Sequence, residues 1–342
     1  MRQDLQANQE TTTAEEGAER PARRAALSPR AKWMLPSWYH ELLSTVSFRT
    51  LYDPFAGDGV VARYFKRNGK RVIVGDVLEG NYCHARALVA NNERHVAAER
   101  LAAWTAVLKD PRVATRFGPW AHRLFSPEET IWLGIWHAHL AAADLGATER
   151  AIGAVAVGHT MRYWRSFNRE AILPKPLEPT QVFAHYVQTL NALVFNNGMA
   201  NEAHWGDAYQ HAPRVEADLL FCYPPTHLGF HQYPESDTLF EGWVKGDPHL
   251  TLPGQVEMIP GPPTLGMPLP SAKVYAEALR RFLARCDHIP VWALAFNDRY
   301  PLDEAEMADL VGEFRSIERR AKISVPQGAG AIAPTEKLII AR

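Results

Sequence analysis

The chain has 342 residues, 46% apolar and 22% charged, which is room for one large α/β domain with an insertion. Thirty-seven Lys and Arg against 38 Asp and Glu leave a formal charge of −1. That balance excludes a chain held to nucleic acid by bulk charge, while a local basic face stays open.

Residues 1–27 are polar, without aromatic residues, and read as a disordered tail that cannot bury enough surface to offset its ordering entropy. KWMLPSWYHELL (Lys32–Leu43) opens the ordered chain as a short helix. Thr50–Asp53 is a short apolar strand, DPFAGDG (53–59) a glycine-rich turn, and Val60–Gly69 a helix with a terminal glycine suited to a C-cap. RVIVGD (Arg71–Asp76) is a continuous apolar strand, and a second helix runs through Asn92. This alternation indicates a parallel sheet with right-handed crossovers.

From 98 to 200 the pattern turns helical. Ser126, Pro127 and Glu129 form a capping box before a helix from 125 to 136, and further helices cover 149–168 and 179–195. Strands return at Ala217–Cys222 and Pro290–Phe296, and Ser316–Val325 and Thr335–Ala341 are spaced for a hairpin. Gly246–Pro270, with 11 Pro or Gly among 25 residues, reads as a long loop. The expected architecture is a catalytic α/β domain from 28–97 and 201–342, interrupted by a helical insertion at 98–200.

Gly57 and Gly59 follow a strand and open a helix, which lets the backbone approach a ligand closely. Asp76 ends the second strand, where an acid accepts hydrogen bonds from ribose hydroxyls. Asp53 and Asp58 add negative charge, which disfavours a pyrophosphate and suits a ligand with an ammonium or sulfonium. S-adenosylmethionine carries both.

DPFAGDGVVARYFKRNGKRVIVGD followed by NYCHARALVANN resembles the cofactor half of the D12-type adenine-specific DNA methyltransferases. KWMLP (32–36) resembles the family's first motif, and GDA (206–208) its short acidic element. AFNDR (295–299) and EKLIIA (336–341) resemble its late strands. The resemblance implies a Rossmann-like S-adenosylmethionine-dependent methyltransferase fold. It also implies N6-adenine methylation of DNA, of the restriction–modification kind. Lys32, Asp53, Phe55, Gly57 and Gly59 would then hold the cofactor, with Asp76 on its ribose and Asp207 near its adenine.

The family carries D-P-P-Y after the fourth strand, and here the sequence departs. Tyr223, Pro224, Pro225 and Thr226 stand in its place. In the family the Asp and the first Pro carbonyl accept the two N–H groups of a flipped adenine, and the ring stacks on the base. Tyr223 accepts through a neutral phenol and Thr226 cannot stack, so Phe230 or Tyr233 is left to supply a ring. Losing the charged acceptor is expected to cost on the order of 10²-fold in rate. Residues 218–270 hold six acids and one base, Lys245, which would repel a phosphate backbone unless the acids face solvent away from the substrate.

Arg162, Arg165 and Arg169 fall on one helical face among Tyr163, Trp164 and Phe167, with Lys175 beyond, a pattern suited to phosphate contact. The alternative is an amphipathic helix with a buried aromatic side. DNA is thus the expected partner, and the rival readings are another acceptor (RNA, nucleotide or small molecule) or a catalytically silent cofactor-binding module. His227 and His231, or His137 and His139, lack the convergent ligands of a metal site. Cys222 reads as a buried strand thiol. Cys83, Cys222 and Cys286 fit neither a disulfide framework nor a metal knuckle. No stretch approaches ~20 apolar residues, and no apolar run near residue 1 suggests a secretory signal. A reduced, cytoplasmic setting without membrane or metal is expected.

Overall fold

The computed structural model describes residues 29–167, 177–226, 235–250, 262–267, 269–324 and 334–342, with side chains from residue 34. Among these, seven strands form one mixed sheet. They are β1 (Thr50–Asp53), β2 (Arg71–Asp76), β3 (Glu202–Trp205), β4 (Leu219–Cys222), β5 (Val291–Asn297), β6 (Ile317–Ser324) and β7 (Thr335–Ala341). Their order is β3-β2-β1-β4-β5-β7-β6. The first five run parallel, and β7 lies antiparallel between β5 and β6. This is the Rossmann-like arrangement of S-adenosylmethionine-dependent methyltransferases. The order reverses between β1 and β4, the crevice where open α/β sheets take ligands.

Strand alternation builds two cores. Leu51, Val72, Val74, Leu219, Phe221, Ala293 and Ile340 face one side, against α1 (Pro29–Leu42), α2 (Val60–Arg67) and part of α3 (Glu79–Leu88). Tyr52, Ile73, Leu220, Cys222, Trp292, Leu294 and Ile339 face the other. There they meet α9 (Ala208–His211), α11 (Ala272–Arg285) and α12 (Glu304–Gly312). Because the central strands are covered on both faces, they read as unbroken apolar runs.

A third core lies behind α3. Its Cys83, Ala87 and Leu88 pack with residues of α4 (Ala98–Trp104), α6 (Pro127–Leu140), α7 (Ala147–Phe167), α8 (Pro179–Leu193) and α10 (Glu235–Lys245). A short α5 (Pro111–Thr115) precedes α6. Trp136 and Phe183 stack at 4.6 Å between ring centroids, and Trp164 lies against Trp136 at 5.8 Å. The capping box at Ser126 is formed: its Oγ accepts from Glu129 N at 3.2 Å and Glu129 Oε2 accepts from Ser126 N at 2.7 Å.

Several expectations shift. The helix after β2 stops at Leu88, not Asn92. β3 had no counterpart in the sequence reading: EAHW is a four-residue edge strand with no fully buried residue, so it lacks the apolar run of its neighbours. β6 and β7 do pair antiparallel, with an irregularity between Ile317 and Arg319. All three cysteines are free and buried, and burial pushes the Cys222 thiol up, so it is a core residue. Among the described residues no helix is long and apolar enough to cross a membrane.

Candidate functional site

The carboxyl edge of β1, β2 and β3 brings Asp53, Phe55, Gly57, Gly59, Asp76 and Asp207 together. Asp53 ends β1 and is 2% exposed. Among the described residues its carboxylate accepts a single long hydrogen bond, from Phe55 N at 3.4 Å. Asp76 ends β2 and accepts from Gly57 N at 3.0 Å and Leu78 N at 2.9 Å. Burial pushes both carboxyls up to about 7, with the charge of Asp76 adding to Asp53 and that of Glu241 adding to Asp76.

Gly57 and Gly59 adopt φ of 55° and 71°, in the left-handed region that an L side chain resists. A Cβ at Gly59 would also stand 3.2 Å from Val89 Cγ2. The half-buried Phe55 ring packs on Phe282 of α11, with 5.0 Å between ring centroids, at the margin of the core. Lys32 lies within α1, and its side chain is outside the described atoms.

Asp207 caps α9 through its bond from Tyr209 N at 3.0 Å, and burial raises its carboxyl. It is brought beside Asp76 because β3 pairs with β2, Asp76 opposite Trp205, and Gly206 N donates to Asp76 O at 3.0 Å. A hydrogen-bond acceptor there suits an adenine amino group.

At the neighbouring end of β4, Tyr223 follows Cys222 with its hydroxyl turned toward β5 and β7. The hydroxyl donates to Glu336 at 3.1 Å from both carboxylate oxygens and accepts from Asn297 Nδ2 at 2.9 Å. Pro224 is buried, and its carbonyl accepts from the Tyr300 hydroxyl. Pro225 and Thr226 are half-buried. Phe230, Tyr233, His227 and His231 lie outside the described residues. Sequence reasoning missed Glu336, Asn297 and Tyr300, because their proximity depends on β7 lying antiparallel on β5, with Asn297 opposite Glu336.

The acids after β4 are largely in structural use, which neither sequence reading foresaw. Asp218, just before β4, accepts from Arg49 N and Thr50 N, both at 2.8 Å, at the amino end of the strands. Glu241, 1% exposed, accepts from Glu79 N at 3.0 Å and Gly80 N at 2.8 Å, capping α3. Lys245 pairs with Glu79 at 2.5 Å and sits 4.1 Å over the Trp205 ring.

Of the basic helix, Arg162 and Arg165 lie on α7, while Arg169 and Lys175 lie outside the described residues. Arg165 pairs with Glu235 at 2.8 Å, and Arg162 is exposed beside His159. Trp164 is fully buried and cannot reach a base, while Tyr163 and Phe167 are half-buried. Burial lowers His137 to about 4, and His139 bonds Ala106 O at 3.1 Å. Among the described residues no group of three His, Cys, Asp or Glu is arranged to hold a metal ion.

With this geometry in view, comparison with known proteins is specific over one segment. Residues 31–112 match the family model of the D12 class N6 adenine-specific DNA methyltransferases. That segment contains Lys32, Asp53, Phe55, Gly57, Gly59 and Asp76, but neither Asp207 nor the residues after β4. Strand order and the D12 segment together make this an S-adenosylmethionine-dependent methyltransferase in fold and cofactor.

Among solved structures, magnesium protoporphyrin IX methyltransferase of Synechocystis, with bound SAH, is 9% identical. It matches 91% of this chain and 81% of its own at a TM-score of 0.32. The rRNA methyltransferase aviRa of Streptomyces viridochromogenes is 14% identical, over 94% of this chain and 88% of its own, at a TM-score of 0.32. No curated protein sequence is significantly similar.

Proposed function

We propose that the chain binds S-adenosylmethionine across the β1–β4 crevice and transfers its methyl group to an amino nitrogen, with adenine in DNA as the acceptor. The carrying observation is the pair of carboxylates, buried Asp53 and half-buried Asp76, both raised to about 7 beside two left-handed glycines. Two such groups favour a cationic guest, because positive charge offsets the burial that penalises their ionised forms. Asp76 would meet the ribose and Asp207 the adenine, while Lys32, Phe55, Gly57 and Gly59 complete the cradle.

The bound cofactor supplies an electrophilic methyl group. The chain's own residues must then orient an amine, exclude water and take away a proton. Tyr223 Oη and the Pro224 carbonyl each retain acceptor capacity beyond their present bonds, enough for the two N–H groups of one amine. Holding the amine in line with the methyl group supplies much of the acceleration. Residues 98–200 serve as the target-recognition region in this reading, with Arg162, Arg165, Arg169 and Lys175 on phosphates.

One observation favours a second reading. Both acceptor groups are already engaged within the protein, Tyr223 by Glu336 and Asn297 and Pro224 by Tyr300. A site satisfied in this way suits a different acceptor, such as RNA, a nucleotide or a small molecule, or a silent cofactor-binding module. Calorimetry with S-adenosylmethionine, followed by labelled-methyl transfer to adenine-containing DNA, separates the two. Label in adenine supports the first reading. Binding with label elsewhere, or with none transferred, supports the second, and absence of binding contradicts both.

A further inference from the structure

Building on the amino-transfer reading, we propose that Glu336 is the proton acceptor of the acceptor site, reached through the Tyr223 hydroxyl and oriented by Asn297. The D-P-P-Y position has lost its carboxylate, yet a carboxylate stands one hydrogen bond behind the residue that replaced it. Glu336 is 3% exposed and sits at the carboxyl edge, on the second residue of β7. Arg299 N donates to Asn297 Oδ1 at 3.0 Å, which fixes the amide so that Nδ2 faces Tyr223 Oη and Glu336 Oε1, both at 2.9 Å. Tyr223 Oη therefore gives its proton toward the acid and presents oxygen lone-pair density to whatever lies in front of it.

Among the described residues no cation hydrogen-bonds Glu336. Lys337 is tied to Asp298 at 2.7 Å. Arg299 acts on Glu336 electrostatically without a hydrogen bond to it, and Asp298 opposes it. Among the described residues Tyr39 from α1, Tyr275, Tyr300, Cys222 and Asp53 also share this field. Burial raises the Glu336 carboxyl above its ordinary range, which makes it a stronger base than a solvated carboxylate.

The proton path balances. An amine that has gained a methyl group is a cation with one surplus proton. Its N–H bond breaks as a new O–H bond forms at Tyr223, while the original Tyr223 proton moves to a Glu336 oxygen. The amine and the phenol end neutral, and Glu336 holds the proton until solvent removes it. Glu336 acts through Tyr223 and is a positioning residue.

The test combines tyrosine ring NMR with kinetics on the full chain. With ¹³Cζ-labelled tyrosine, the Tyr223 resonance, assigned by its loss in Tyr223→Phe, should shift with pH as Glu336 titrates. In Glu336→Gln it should stay flat. The same variant should lower kcat at least tenfold toward the amine acceptor and flatten the acid limb of the pH profile. The KM for cofactor should not change, and Glu336→Asp should restore part of the rate. A Tyr223 resonance indifferent to Glu336, or a Glu336→Gln variant with wild-type kcat and pH profile, overturns the proposal. If the wild type methylates no amine, the transfer reading falls while the NMR arm still decides the proton path.

Discussion

The two ends of the crevice are built on opposite principles. After β1 and β2, buried Asp53 and half-buried Asp76 are acids held mainly by backbone N–H groups, one of them at 3.4 Å, with the Asn81 side chain adding to Asp76. After β4, Tyr223, Glu336 and Asn297 close a ring of hydrogen bonds, and Tyr300 caps the Pro224 carbonyl. The first end carries charge that a cationic guest would relieve. The second already has both of its acceptor groups engaged within the protein.

Substitutions at the two ends should therefore separate binding from stability. The largest effect falls on Asp76→Ala, which should weaken S-adenosylmethionine binding by about 1–3 kcal/mol, roughly 5- to 150-fold, by calorimetry. Glu336→Ala should leave that affinity within about twofold, since its contacts lie at the other end. Next, Tyr223→Phe should lower unfolding stability by about 1–3 kcal/mol in denaturant titration, because it strips a buried acid of a donor. Cofactor affinity should not follow.

The pH dependence sharpens the contrast. Asp53 and Asp76 sit near 7 when folded, well above the ordinary carboxyl value of 3.8. A raised pKa contributes stability that is present below the unfolded value and lost as pH rises through the folded one. The ligand-free protein should therefore lose stability between about pH 4 and 7, and Asp53→Asn should flatten that slope. Cofactor binding, which needs the ionised carboxylates, should tighten over the same interval and release protons. The smallest effect is expected at Arg165→Ala, whose pair with Glu235 is partly exposed and should change stability by less than about 1 kcal/mol.

The geometry at the ends of β1 and β2 was legible because its signals are local. Asp53, Gly57, Gly59 and Asp76 fall within 24 residues, and a strand–turn–helix–strand pattern places them at one edge. The same holds for Ser126, Pro127 and Glu129, which cap a helix through neighbours in the chain. The acceptor end was not legible, because Tyr223 and Glu336 are 113 residues apart and meet only through the antiparallel entry of β7. Trp164 was ambiguous in the same way, since helical spacing puts it among arginines, and packing against Trp136 decides for the buried alternative. Acids after β4 looked like a repulsive or solvated run, yet Glu241 caps α3 from another element.

The most direct measurement is titration calorimetry of S-adenosylmethionine at pH 8 with the wild-type chain and the Asp53→Asn/Asp76→Asn double variant. One site per chain in the wild type, with affinity lost in the folded double variant, is the expected result. Equal affinity in both proteins, or no heat from the wild type at saturating ligand, would contradict the assignment of this crevice to the cofactor.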